Sequence, residues 1–373
     1  TPGTCSVMGT ASTMACVIEA LGMMLPGGAA IPAVYADRMR NAEESGRQAV
    51  RLIELGLTPD KIMTPAAFEN ALRVLQAIGG STNGVIHLTA IAGRLGIKLE
   101  LDRLDQLAAT TPILVDLKPT GTGYMEDFHR AGGMRVLLQE IRDLLHLDAL
   151  TVAGQTWNEV LGEEYVFPKW QNVIRPASAP LQVEGGLVVL HGNLSPDGAV
   201  IKRSAATPAL LNKQGRAVVF ASLADMAARI DSPDLDVTPD DFLVLQNAGP
   251  IGGPGMPEAG YLPIPKKLAT AGVTDIVRIS DARMSGTAFG TVVLHVAPEA
   301  AIGGPLALVR NGDIIELAVD RRELTLHVDD AELARRRATL PPAPTRYPRG
   351  YESLYMQHCQ QANLGADFDF LRP

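Results

Sequence analysis

The sequence has 373 residues, of which 46% are hydrophobic and 20% are charged, as is usual for a globular protein of roughly two or three domains. The formal net charge is −8, so the sequence lacks the excess of basic residues that is typical of nucleic-acid-binding proteins. No apolar run approaches the roughly 20 residues of a membrane span. The 3 cysteines are too few for a disulfide framework. We therefore expect a cytoplasmic protein that binds neither nucleic acid nor membrane.

The first part of the chain, residues 1–165, predicts helices with a few strands between them. Apolar spacing predicts helices over residues 10–24, 33–56 and 84–95, a further helix beginning at Thr64-Pro65, and one from about 126 to 145 with an interruption near Gly132-Gly133. The apolar run 112–117 predicts a buried strand. This alternation is typical of an α/β layer architecture.

The Pro-rich segment 166–180 has no periodicity and predicts a linker. After it, residues 181–373 predict a strand-rich α+β domain with a barrel-like sheet. Short β-branched runs predict strands at 187–190, 199–202, 217–221, 242–246, 275–279, 291–296, 306–310, 314–319 and 324–328, with a hairpin at 320–323. Helices are expected at 222–230 and 330–338. We expect the tail, 345–373, to pack against the rest of the chain or against a partner subunit.

Cys5 lies in a small-residue loop just before a predicted helix. Backbone N–H groups and a helix N-terminus favour a thiolate, which could bind iron or act as a nucleophile. A small buried residue ahead of a helix is the commoner explanation, and the residues alone favour it. For Cys16 and Cys359 we expect structural roles only.

Two loops in the second half contain residues able to do chemistry. Glu258 ends the segment GGPGMPEAG, and it could supply a hard oxygen ligand to a divalent cation or simply be a solvated side chain in a turn. Ser285 follows a predicted strand and precedes Gly286 and Thr287. It could be a base assisted by a metal ion or by N–H donors, or else the N-cap of a helix.

The segment Ser81-Thr82-Asn83 follows two glycines and precedes a predicted helix. Its hydroxyl, amide and N–H groups could bind a carboxylate or a polyol, and capping of the helix is the alternative. His87, one turn into that helix, is expected to be structural.

Taken in order, the segments resemble one family, the dihydroxy-acid and sugar-acid dehydratases. The matching segments are GTCSVMGTASTMA, IEALGMMLPGGAAIPA, QAIGGSTNGVIHLTAIA, GTGYMEDFHRAGG, HGNLSPDGAVIK, NAGPIGGPGMPEAG and ISDARMSGTAFGT. They extend through nearly the whole chain. The segment NAGP, the serine segment and the tail GYESLYMQHCQQANLGADFDFL resemble the branch that acts on arabinonate, xylonate or galactonate.

The resemblance implies a hydro-lyase that converts a sugar acid to a 2-keto-3-deoxy acid with an iron–sulfur cluster, Mg²⁺ and a serine base. Cys5 corresponds to the last of three cluster cysteines, Glu258 to a magnesium ligand and Ser285 to the base. By analogy with the sugar-acid branch we expect a 2Fe–2S cluster rather than 4Fe–4S. Ser81, Thr82, Asn83, Gly286 and Thr287 are expected to bind substrate. Family analogy also implies a homodimer or homotetramer.

One departure from the family pattern affects the metal sites. Nothing in the sequence matches the family's N-terminal region, which holds two cluster cysteines and the Asp and carbamylated Lys of the magnesium site. We therefore expect a truncated N-terminal domain, and the chain by itself should not build the metal sites. Two alternatives to a sugar-acid enzyme stay open: a dihydroxy-acid dehydratase of branched-chain amino-acid synthesis, and a truncated relative that only binds.

Overall fold

A computed structural model of the chain describes residues 5–340 and 348–373. Residues 1–4 and 345–347, which begin the predicted first domain and the predicted tail, lie outside the described residues. The described chain forms two compact units. The first comprises the residues up to Gly84 together with Asp102–Leu187, and the second comprises Val85–Leu101 together with the residues from Val188 onward.

The first unit is mainly helical. The helices ahead of the first strand are α1 (Thr10–Ala20), α2 (Ala36–Leu55), α3 (Pro59–Ile62), α4 (Pro65–Ala77), α5 (Asn83–Gly93), α6 (Leu101–Thr110), α7 (Met125–Arg130), α8 (Gly133–Glu140) and α9 (Trp157–Leu161). α5 belongs to the second unit from Val85 onward.

Local sequence explains where several of these helices begin and end. The Thr64 side chain accepts the N–H of Ala67, and Pro65 occupies the first helical position, which confirms the predicted start of α4. Gly132, with φ of 104°, separates α7 from α8 at the predicted interruption. α1 is shorter than predicted because the chain turns after Ala20, with Gly22 at φ of 86°.

The predicted strand at 112–117 does not join a sheet. Ile113, Val115 and Leu117 form isolated bridges with Gln182, Ile174 and Gly123, although the segment is buried as expected. α2 is also more exposed than its pattern suggested, since Met39 is 73% and Ile53 is 81% exposed.

The second unit is built on one sheet. Its strands are β1 (Leu187–Leu190), β2 (Ala199–Lys202), β3 (Asn212–Phe220), β4 (Phe242–Leu245), β5 (Val277–Ser280), β6 (Val292–Leu294), β7 (Ile314–Ala318) and β8 (Glu323–His327). The order across the sheet is β1-β2-β6-β5-β4-β3-β7-β8. The remaining helices are α10 (Leu223–Arg229), α11 (Lys266–Thr270), α12 (Asp330–Ala338) and α13 (Tyr351–His358).

The sheet is nearly closed into a barrel. β3, β4, β5 and β6 run parallel to one another, and the outer pairings are antiparallel where register is defined. His191, just after β1, bridges Glu323 at the start of β8. Its N–H donates to the Arg322 carbonyl at 2.9 Å, and its carbonyl accepts the Leu324 N–H at 2.7 Å. These contacts bear out the predicted barrel-like sheet.

Both faces of the central strands are buried, which explains why they read as continuous apolar runs. Along β3, Ala217 and Val219 pack in a cluster that draws on every strand of the sheet. Val218 and Phe220 point to the opposite face, where Leu223 of α10 and Leu268 of α11 cover them. Such alternation follows directly from the two-residue repeat of a strand.

One predicted strand, 306–310, is wrong. The segment forms a 3-10 helix, Pro305–Leu308, instead. Pro305 follows Gly304, has no N–H for a sheet ladder, and fixes φ at a value suited to a helical turn.

Among the described residues, no helix combines the length and the apolar character needed to cross a membrane.

Two glycines provide a matched test of this packing. A Cβ at Gly215, in β3, would collide with the Phe242 ring and lie 2.7 Å from the Asp240 carbonyl oxygen, whereas a Cβ at Gly46, inside α2, meets nothing within 4 Å. We expect Gly215→Ala to lower the free energy of unfolding by about 1–3 kcal/mol. Gly46→Ala should raise it by about 0.5–1 kcal/mol. Urea denaturation measures both, and equal effects would contradict the described packing.

Candidate active site

Glu258 and Ser285 lie on two loops that leave the same edge of the sheet. β4 and β5 are parallel neighbours, with Leu245 opposite Ser280 at their carboxyl ends. The loop after β4 carries Glu258, and the loop after β5 carries Ser285. In parallel sheets this edge is where ligands are usually bound.

Arg283 joins the two loops. Its Nη1 lies 3.1 Å from Oε1 of Glu258, and its Nε donates to the Met256 carbonyl at 2.6 Å. Its own carbonyl accepts the N–H of Gly260 at 2.9 Å. The Glu258 side chain keeps 37% of its surface exposed. The carboxylate is therefore oriented by the protein and still accessible.

Ser285 lies in a turn. Its Oγ is 2.8 Å from Oγ1 of Thr287, and the Thr287 N–H donates to the same oxygen at 3.4 Å. No helix begins at Ser285, so the N-cap alternative is wrong. Gly286 is buried and Thr287 is exposed. In the described part of the chain, no histidine ring is hydrogen-bonded to Ser285, so a histidine-activated serine is not the arrangement here.

Two histidines lie close to Arg283. Burial and the Arg283 charge lower the pKa of His87, while the Glu258 carboxylate opposes this effect. Burial, Arg283 and His87 together lower the pKa of His295 to about 3. Both rings therefore favour the neutral form more strongly than an exposed histidine does, and Arg283 supplies positive charge beside Glu258.

Two buried carboxyl groups support the backbone of these loops. Asp281 accepts the N–H groups of Ala248 and Ala300, each at 2.9 Å. Glu299 accepts the N–H groups of Ile251 and Gly252 at 2.8 to 3.0 Å. Burial, with a contribution from the Glu299 charge, raises the pKa of Asp281 to about 7. Irregular glycine-rich backbone needs such acceptors because no helix or sheet satisfies its donors.

Cys5 belongs to the first unit. It is half-buried and forms no disulfide. Its flanking backbone is fixed, since Ser6 accepts the Met125 N–H at 2.9 Å and Met8 donates to the Lys118 carbonyl at 2.9 Å. Cys16 is fully buried in α1, and burial raises the pKa of its thiol far above the usual range, as expected for a structural cysteine.

Ser81, Thr82 and Asn83 also lie in the first unit, against the start of α1. Ser81 Oγ is 2.9 Å from Thr10 Oγ1, and its N–H donates to Thr13 Oγ1 at 3.0 Å. Asn83 Nδ2 donates to Thr10 Oγ1 at 2.9 Å. The buried Oγ1 of Thr82 has no hydrogen-bond partner in the described chain. Side-chain hydrogen bonds thus connect the segment GTCSVMGTASTMA, which contains Cys5, to the segment QAIGGSTNGVIHLTAIA, which contains Ser81.

The donor set limits what the described residues can bind. Across residues 5–340 and 348–373, no three His, Cys, Asp or Glu side chains are grouped so as to hold a metal ion. Cys5 fits one thiolate ligand of an iron site, and Glu258 fits one oxygen ligand of a hard cation. Each of the two residues fits one ligand position of such a site.

Three further residues at this site, Arg283, Asp281 and Glu299, were not predicted from the sequence. Arg283 and Asp281 stand inside the quoted segment ISDARMSG, so a charged pair so close to a candidate base was an available signal. Glu299 was not recognisable, because the amides that it accepts lie 47 and 48 residues earlier in the chain.

The chain belongs to the dihydroxy-acid/6-phosphogluconate dehydratase family. The model of the family's N-terminal domain matches residues 1–160, and that of its C-terminal domain matches residues 172–366. This confirms the resemblance seen in the sequence.

Several curated relatives are similar along nearly the whole chain. L-arabinonate dehydratase of Rhizobium leguminosarum bv. trifolii is 52% identical over 374 residues, and 6-deoxy-6-sulfo-D-gluconate dehydratase of Pseudomonas putida is 49% identical over 373 residues, each match covering 99% of this chain and 64% of the relative. Dihydroxy-acid dehydratase of Caldicellulosiruptor saccharolyticus is 43% identical over 367 residues, covering 98% of this chain and 65% of the relative. The chain thus spans slightly less than two thirds of the length of these relatives.

The raised pKa of Asp281 has a consequence for stability. The folded state holds the proton up to about pH 7, whereas the unfolded carboxyl releases it near its ordinary pKa of 3.8. The contribution of Asp281 to the free energy of unfolding is therefore complete below pH 3.8, and it is lost as the pH rises towards 7. Between pH 5 and 7 we expect Asp281 to lower the free energy of unfolding by about 1 kcal/mol per pH unit.

Denaturation of the Asp281→Asn variant at pH 5 and pH 7 measures this effect. The variant should be less stable at pH 5, because an amide cannot accept both backbone N–H groups, and its pH dependence should be flatter than that of the parent. Asp330→Asn, at an exposed site on α12, is the control. An unchanged slope for Asp281→Asn would refute the buried proton.

Proposed function

We propose that this chain is the part of a sugar-acid dehydratase that carries the serine base and one ligand of each metal site. The observation that carries the proposal is the pairing of the Glu258 and Ser285 loops, which adjoin at the carboxyl edge of β4 and β5 and are linked by Arg283. Relatives named for L-arabinonate and for 6-deoxy-6-sulfo-D-gluconate, at 52% and 49% identity, support a sugar acid as substrate.

The proposed reaction removes water from C2 and C3 of the acid. Ser285 Oγ takes the proton from C2, and the C3 hydroxyl leaves and is released as water. The enol that remains becomes a 2-keto-3-deoxy acid by moving one proton to C3. Thr287 Oγ1, 2.8 Å from Ser285 Oγ, orients the serine and accepts or donates its hydrogen bond.

Ser285 needs help to act as a base, because the described chain offers it only a hydroxyl and a long N–H contact. When bound, Mg²⁺ and an iron–sulfur cluster would supply Lewis acidity towards the substrate oxygens and the serine. We propose that Glu258 provides one oxygen ligand to Mg²⁺ and that Cys5 provides one thiolate to the cluster. Arg283 holds the Glu258 carboxylate in place.

Several finer expectations stay predictions. They are a 2Fe–2S rather than a 4Fe–4S cluster, substrate binding by Ser81, Thr82, Asn83, Gly286 and Thr287, a homodimer or homotetramer, and a cytoplasmic setting. We also keep the domain boundaries 1–165, 166–180 and 181–373 as proposals.

Two other functions compete with this one. A dihydroxy-acid dehydratase is supported by the relative from C. saccharolyticus at 43% identity, which is lower than for the sugar-acid enzymes. A non-catalytic binder is supported by the incomplete donor set in the described residues. Iron and acid-labile sulfide analysis of the complete protein decides the second case, since a protein that takes up no cluster after anaerobic reconstitution would be the binder.

The serine provides the most direct mutational test. In the complete protein, Ser285→Ala should lower kcat by a factor of about 10² to 10⁴, because the group that accepts the C2 proton is lost. The visible absorption of the cluster should not change. Ser45→Ala, on the exposed face of α2, is the control and should keep full activity. Normal turnover by Ser285→Ala would reject the serine as base.

Substrate class is tested by comparing kcat/KM for L-arabinonate, 6-deoxy-6-sulfo-D-gluconate and 2,3-dihydroxyisovalerate under anaerobic conditions. We expect turnover of at least one sugar acid to exceed that of dihydroxyisovalerate by a factor of about 100 or more, because a site built to hydrogen-bond a polyol leaves polar groups unpaired with the smaller acid. Turnover of dihydroxyisovalerate alone would establish the competing enzyme.

A further inference from the structure

Residues 348–373, the described part of the C-terminal tail, contact the loop that carries Glu258. Tyr355, on α13, donates its hydroxyl to the Pro250 carbonyl at 3.0 Å. Ala362 packs in one buried cluster with Met256 and with Ile86 of α5. The loop is therefore in contact with the tail at both its beginning and its middle.

Gln361 makes the strongest of these connections, through Glu299. Its Nε2 donates to Glu299 Oε1 at 2.7 Å, and its Oε1 accepts the Glu299 N–H at 2.8 Å. Glu299 is 1% exposed and uses both carboxylate oxygens on the N–H groups of Ile251 and Gly252. A buried carboxylate whose direction is fixed in this way determines where the two loop amides lie.

The loop itself is under conformational strain. Met256 adopts φ of 49°, a left-handed conformation that is costly for a residue with a side chain. A Cβ at Gly249 would lie 2.7 Å from Glu299 Oε2, so the loop and the carboxylate are in close contact. Such a backbone keeps its shape only when surrounding contacts determine it, and Arg283 binds the Met256 carbonyl and Glu258 together.

The tail is also bound to another part of the second unit. Arg94, just after α5, forms a bidentate ion pair with Asp367, with both nitrogen–oxygen distances at 2.8 Å. Cys359 and Phe368 form an antiparallel bridge within the tail. Burial raises the pKa of the Cys359 thiol, which agrees with a structural cysteine.

We infer that the C-terminal tail is a positioning element for the Glu258 loop and that Gln361 is its main positioning residue. The meaning of this role for catalysis rests on the proposed function of Glu258. Gln361 acts through Glu299 and the loop amides, and in this way it orients the Glu258 carboxylate. It does not itself contact the substrate in this role.

The test uses the complete protein with the variants Gln361→Ala and Tyr355→Phe. Hydrogen–deuterium exchange over residues 246–262 should become faster by about tenfold in Gln361→Ala and by less in Tyr355→Phe, because the charged hydrogen bond is the stronger one. Exchange in β7 and β8 should not change. His358→Gln, which breaks a 2.9 Å contact with Asp369 inside the tail, is the control and should leave the loop unchanged.

Mg²⁺ titration by calorimetry provides the second measurement. If Glu258 is a ligand, Gln361→Ala should weaken Mg²⁺ binding by about tenfold, as for other residues that orient metal ligands. Unchanged loop exchange in both tail variants overturns the positioning role. A loosened loop with unchanged Mg²⁺ affinity supports the positioning role and refutes Glu258 as a ligand, so the two ideas fail separately.

Discussion

The parallel pairing of β4 with β5 is the constraint on which the candidate site depends. Because the two strands run in the same direction with Leu245 opposite Ser280, the chain must leave both at one edge of the sheet. A carboxylate and a serine that are far apart in sequence then stand on adjoining loops. Arg283 connects the two loops, because it binds both the Glu258 carboxylate and the Met256 carbonyl.

Buried carboxyl groups organise glycine-rich loops in both units. In the first unit, Glu19 accepts the N–H groups of Gly27 and Ala29, each at 2.7 Å, and burial raises its pKa to about 7. Asp281 and Glu299 do the same for the loops of the second unit. The cost of desolvating an acid is thereby offset by backbone donors that have no other regular partner.

The sequence was most informative where structure is local. The start of α4 at Thr64-Pro65, the break at Gly132 and the hairpin between β7 and β8 were all predicted, because capping, glycine conformation and strand alternation act over a few residues. The run 306–310 was misjudged because β-branched and apolar content outweighed the preceding proline. The pairing of Gln361 with Glu299, 62 residues apart, has no local signature at all.

The contact between His191 and Glu323 has a consequence beyond the fold of the unit. Open sheets present a row of free amides and carbonyls at each margin, and these can recruit an extended segment of another molecule. In the described part of this chain the two outermost strands, β1 and β8, meet each other through His191 instead. At this point the backbone groups of both margins are paired with each other, so they are not available to an added strand.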